Sequence, residues 1–78
     1  MTKEAEITKK LKNIFEKNLN QKISKVDKLE FGENTKWDSL RHIQIIINIE
    51  KEFDIKIKTS DVAQLTSFVK IRNYIINS

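Results

Sequence analysis

Three residues within one turn of chain could do chemistry together: the carboxylate of Asp38, the hydroxyl of Ser39 and the imidazole of His42, the single histidine of a 78-residue chain. A carboxylate, a base and a nucleophile make a hydrolase when the carboxylate orients the imidazole and the imidazole takes the hydroxyl proton. Ser39 and His42 are spaced to meet on one helix face. Asp38 is badly placed to orient the ring, however, and no segment offers an oxyanion loop. The triad is therefore set aside, and His42 is expected as an exposed or half-buried helix residue. The chain has no cysteine, which removes disulfides and thiolate metal sites together. One histidine is too few for a multi-histidine metal centre, and one glycine too few for a glycine-rich phosphate loop. The plain reading of the cluster is that Asp38 or Ser39 caps a helix.

The elements that position these residues follow from hydrophobic period. Residues 3 to about 18 read as an amphipathic helix, with Ile7, Leu11, Ile14, Phe15 and Leu19 at helical spacing. Thr2 is the expected cap, with Glu4 and Glu6 in the first turn. Residues 19–37 show no clean period. Either they hold a short helical turn or their apolar residues Ile23, Val26, Leu29 and Phe31 pin them across the core. The second is preferred, with a turn at Phe31-Gly32-Glu33-Asn34. Residues 39–53 form the strongest helix, followed by an extended piece at Ile55-Lys56-Ile57-Lys58. A short helix is expected over Thr59 to Leu65, capped by Thr59 or Ser60. A last helix follows, capped by Thr66 or Ser67, with Phe68, Ile71 and Ile75 on one stripe and Val69 and Ile76 beside it. The fold class is all-α, with three main helices and one short one in a single domain over 1–78. Phe15, Ile45, Ile49, Phe53 and Ile71 are expected in the core.

The central helix carries more apolar surface than one face needs. At about 100° per residue, Ile45, Ile46, Ile49 and Phe53 form one stripe, and Leu40, Ile43 and Ile47 form another on a different side. The first suits the core. The second is either left for a partner or ligand, or buried as well in a bundle that wraps its central helix; pattern alone favours burial.

Composition bounds the function. The chain carries 15 basic and 11 acidic side chains, net +4, with no arm of pure charge. Its pI of about 9.4 admits a small basic helical nucleic-acid module. Arg41, Gln44, Asn48 and Lys51 do share a helix face, but Glu50 and Glu52 flank it and the other basic residues are scattered. The longest aliphatic run is Ile45-Ile46-Ile47, far short of the roughly 20 apolar residues of a membrane span. The amino-terminal residues do not read as a secretory signal. A cytoplasmic protein with no membrane partner is expected.

The stretch Trp37-Asp38-Ser39-Leu40, opening an isoleucine-rich helix that closes with Glu50-Lys51-Glu52-Phe53-Asp54-Ile55, resembles the acyl carrier proteins. The resemblance runs from the first helix to Tyr74-Ile75-Ile76. It implies a four-helix bundle with a long first loop, which accounts for residues 19–37. It implies that Ser39, in the motif Asp38-Ser39-Leu40, carries 4'-phosphopantetheine taken from coenzyme A by a phosphopantetheinyl transferase. Acyl groups would ride on that arm as thioesters. The chain would then be a non-catalytic carrier and a monomer, partnered by acyl-activating, acyl-transferring or condensing enzymes.

Two departures from the family pattern bear on partners. The family is usually strongly acidic along its second helix, where basic enzyme patches dock. Here the helix reads Arg41, His42, Gln44 and Lys51, with Glu50 and Glu52 remaining. The expected partner surface is Leu40, Arg41, Ile43, Gln44, Ile47, Glu50 and Lys51, and the charge points to one dedicated pathway for a specialised lipid, polyketide, peptide or sugar modification. Trp37 stands where many members have a small or aliphatic residue, and packs under the motif or contacts one particular enzyme.

Overall fold

A computed structural model of the chain describes residues 2–32 and 36–77, the side chains of Thr2 and Lys3 excepted. The expected cap at Thr2 rests on a side chain that is not described, and Glu33 and Asn34 of the expected turn lie outside the described residues. Four helices follow in order: α1 over Thr2–Leu19, α2 over Ser39–Phe53, α3 over Thr59–Val62 and α4 over Phe68–Ile76. Among the described residues there is no strand; one isolated bridge joins Glu30 to Ser67. The architecture is a small all-α bundle.

The apolar period of α1 becomes a buried stripe of Ile7, Leu11, Phe15 and Leu19. It meets Ile45, Ile46 and Ile49 of α2 and Phe68, Ile71 and Ile75 of α4 in one core. The long connection from α1 to α2 does both things the sequence offered as alternatives. Val26–Lys28 form one 3-10 turn. Ile23 is buried, and Val26, Leu29 and Phe31 are half-buried against the core. The connection is also tied to the α3–α4 junction: Phe31 N–H donates to Thr66 O at 2.9 Å, and Phe68 N–H donates to Leu29 O at 3.0 Å.

Both long helices end with the same device. Asn20 and Asp54 take left-handed backbone, each at φ 54°. The next N–H then reaches back, Gln21 to Glu16 O and Ile55 to Glu50 O, which satisfies a carbonyl the helix end would orphan. The same glutamates accept again through their side chains, from Ile23 N–H at 2.9 Å and Ile57 N–H at 2.8 Å. Each clamp seats a buried isoleucine just past its helix.

Of the alternative caps, Asp38 closes α2 and Ser67 closes α4. Other expectations are corrected. The short helix stops at Val62, and its cap is Lys58, with no side-chain bond. Asp61 and Val62 N–H both turn to Lys58 O instead, and the chain tightens into i to i+3 bonds through Leu65. Phe53 is half-buried rather than core, because it sits in the last turn of α2 where the chain leaves at Asp54. Burial of both α2 stripes is overturned. Leu40, Ile43 and Ile47 are 64%, 55% and 45% exposed. Packing from α1 and α4 reaches the core from the other side, and a one-turn α3 is too short to wrap α2.

Candidate functional site

The chemistry-bearing residues gather where α2 begins. Asp38 closes the helix end: one carboxylate oxygen accepts from Arg41 N–H at 2.9 Å, the other from the Arg41 guanidinium at 3.1 Å. Arg41 also donates through Nε to Asn18 O at 3.2 Å, so the last turn of α1 holds the first turn of α2. The backbone bond from Arg41 lowers the Asp38 pKa below the usual carboxylate value. Ser39 follows as the first helical residue, and it is exposed. Its hydroxyl lies at the start of a 15-residue helix. There the first N–H groups have no intrahelical acceptor and the dipole favours an anion.

Beneath the serine lies an aromatic layer. Trp37 is fully buried and packs edge-on against Phe15, with ring centroids 4.8 Å apart, and against Phe31 at 6.0 Å. The expectation that Trp37 packs under the motif is met. His42 is also buried, at 8% exposure, against the expectation of an open or half-open position. Trp37 Nε1–H donates to His42 Nδ1 at 3.0 Å, and His42 Nε2 lies 2.9 Å from Val62 O. An indole nitrogen can only donate, so Nδ1 accepts and the ring proton sits on Nε2, pointing at Val62. Both ring nitrogens are thereby occupied and turned inward. With Asp38 held by Arg41, no catalytic triad assembles around Ser39.

A shallow recess of about 330 Å³ opens beside Ser39, lined by Phe31, Ser39, His42, Ile43, Ala63 and Thr66. It leads from the serine onto the open stripe of Leu40, Ile43 and Ile47. Gln44 and Lys51 are exposed beside that stripe. Two of the expected partner residues are engaged by the fold itself. Arg41 joins α1 to α2, and the Glu50 carboxylate is spent on Ile57 N–H. Lys51 instead lines a second groove between α1 and α2 with Ile14, Lys17, Asn18, Asn48 and Glu52. Among the described residues no three His, Asp or Glu side chains converge as a metal site.

The sequence reading missed the Trp37–His42–Val62 relay and the approach of Lys17 to α2. A signal for the first was present: a tryptophan directly before a helix cap, followed one turn into the helix by the only histidine. Nothing local announced Val62 or Lys17.

No family model matches the chain. Two similar proteins extend over nearly all of it. An acyl carrier protein of Buchnera aphidicola subsp. Schizaphis graminum is 38% identical over 72 residues, covering 91% of each chain. An acyl carrier protein of Rickettsia bellii is 30% identical over 76 residues, covering 96% of this chain and 94% of that one.

Proposed function

We propose a carrier function centred on Ser39 for this chain, which belongs to the acyl carrier protein family. Membership supports a general carrier role, partnership with biosynthetic enzymes and a 4'-phosphopantetheine group. The observation that carries the assignment to Ser39 is its placement: an exposed hydroxyl in the first helical position behind the Asp38 cap, with an apolar recess alongside. These residues fit the group. The helix N-terminus suits a phosphodiester anion, and the recess suits the less polar arm beyond it. In the attachment, Ser39 Oγ displaces adenosine bisphosphate from coenzyme A; a separate transferase provides the metal and the base. Once bound, the group supplies the thiol that this cysteine-free chain lacks, so that acyl groups are carried as thioesters. Asp38 holds the helix end in place and presents a carboxylate to the transferase. Leu40, Ile43 and Ile47 offer the apolar contact for docking enzymes.

The finer reading is a carrier dedicated to one pathway. Enzymes that recognise an acidic second helix meet Gln44 and Lys51 here, with Lys17 nearby. A basic docking patch is thus repelled, and charge mainly sets encounter rate and partner rejection. The test is incubation with coenzyme A and a broad-specificity transferase, followed by acyl loading of the product. Uptake of one phosphopantetheinyl group at Ser39 is expected, with poor service by generic fatty-acid enzymes. Absence of uptake with several transferases overturns the carrier reading for Ser39.

A further inference from the structure

We propose that the groove between α1 and α2 is a docking site for an acidic polypeptide segment. The groove holds about 350 Å³ and is lined by Ile14, Lys17, Asn18, Asn48, Lys51 and Glu52. A smaller hollow continues it along α1 to Lys10 and Asn13, sharing Ile14, Lys17 and Glu52. Lys10, Lys17 and Lys51 therefore stand against a single carboxylate, that of Glu52, across the two hollows. Glu52 pairs with Lys10 at 3.8 Å. Lys17 and Lys51 are exposed, and among the described residues neither is paired with a carboxylate. Two ammonium groups in one groove thus lack the anions that would complement them.

The rest of the lining names the occupant. Ile14 is half-buried and gives the groove an apolar patch. Asn18 and Asn48 each donate to a carbonyl one turn back, Ile14 O at 2.8 Å and Gln44 O at 2.9 Å, which fixes both amides. Each amide keeps a second N–H and a carbonyl oxygen, so the walls offer donors and acceptors together. A peptide backbone matches both. A phosphate backbone only accepts, and Glu52 repels it. Carboxylates of the segment meet Lys17 and Lys51, and an apolar residue of the segment covers Ile14. Lys51 also stands beside the exposed stripe of Leu40, Ile43 and Ile47, so a segment in the groove lies next to whatever is seated on the stripe. That the segment belongs to a biosynthetic enzyme rests on the carrier reading; the preference of the groove for acidic peptide does not.

The experiment uses the unmodified full chain, so it stands apart from loading at Ser39. The probe is a short helical peptide of glutamate and leucine, followed by nitrogen-15 amide shifts and fluorescence anisotropy. It is compared with the same peptide carrying glutamine for glutamate, and with a thymidine oligonucleotide of equal length. The glutamate peptide is expected to shift the amides of residues 14–18 and 48–52, and to bind more weakly as salt rises. Lys17→Glu with Lys51→Glu should weaken it at least about tenfold, two attractions having become repulsions. Lys25→Glu with Lys56→Glu makes the same change in net charge at exposed positions outside the groove, and should alter affinity little. If the groove variant does not fold, Lys17→Gln with Lys51→Gln takes its place, with a loss of about threefold expected. No binding by the wild type, shifts confined to other residues, or equal losses in the groove and control variants overturns the proposal. So does a glutamine peptide that binds as well, or an oligonucleotide held in the groove as tightly as the glutamate peptide.

Discussion

Asp38 holds Arg41 twice, by its backbone N–H and by its guanidinium, and Arg41 in turn holds the end of α1. Because the folded carboxylate has a lowered pKa, the proton binds the unfolded chain more readily. The stabilisation is therefore present above the ordinary aspartate value, about 3.9, and is lost as pH falls through the folded value. Asp38→Ala is expected to melt below wild type at neutral pH, with the gap closing as the pH drops under about 4. A gap that persists at low pH would show that the carboxylate charge is not what stabilises the cap. One layer down, Trp37 is fully buried in edge contact with Phe15, whereas Phe53 is half-buried at a helix end. Trp37→Ala should cost about 3–5 kcal/mol in urea unfolding. Phe53→Ala, for which full burial would imply the same, should cost under about 3 kcal/mol. Equal costs would mean that Phe53 belongs to the core after all.

The two glutamate clamps make a prediction about elements. Glu16 and Glu50 each end a helix and each hold the N–H of a buried isoleucine seven residues on. Replacing either by alanine should lower stability by about 1–2 kcal/mol, a charged hydrogen bond to backbone being lost. Hydrogen exchange at Ile23 or Ile57 should rise in the matching variant only; unchanged exchange would show that the carboxylate is not the clamp. These clamps also mark how far the sequence could be read. The bounds of α2 were legible because a cap residue directly precedes an apolar period lasting four turns. For α3 only the start at Thr59 was, since four residues carry no period to mark the end and its cap is made by the Lys58 carbonyl. The exposed place of Ser39 at the start of α2 was legible from Asp38-Ser39-Leu40. The His42 bridge was not, because its third member, Val62, is brought in only by tertiary packing. Periodicity found the second stripe on α2, yet could not say that α3 is too short to cover it. Glu50 read as a surface charge for partners because its position gives no hint of a backbone partner at Ile57.

At the scale of the whole molecule, an uncovered apolar stripe leads away from the serine, with Gln44 and Lys51 exposed beside it. Leu40→Asp should leave the melting temperature nearly unchanged, since Leu40 is mostly exposed, while lowering acyl transfer by the partner enzyme at least about tenfold if the stripe docks as an anchor. Arg41 is unsuitable for testing charge, because it braces α1 against α2; Gln44 and Lys51 are the better pair. Gln44→Glu with Lys51→Glu should speed loading by generic fatty-acid enzymes at low salt, with the gain shrinking as salt screens it. Equal rates would show that these positions do not set partner choice. All of this depends on one covalent event. The most direct measurement is intact-protein mass spectrometry after reaction with coenzyme A and a phosphopantetheinyl transferase, with the modified peptide then sequenced. The account predicts a single phosphopantetheinyl gain on the peptide containing Ser39, and none for Ser39→Ala with its helical spectrum intact. An unmodified wild type across several transferases, or a gain that persists in Ser39→Ala, would contradict it.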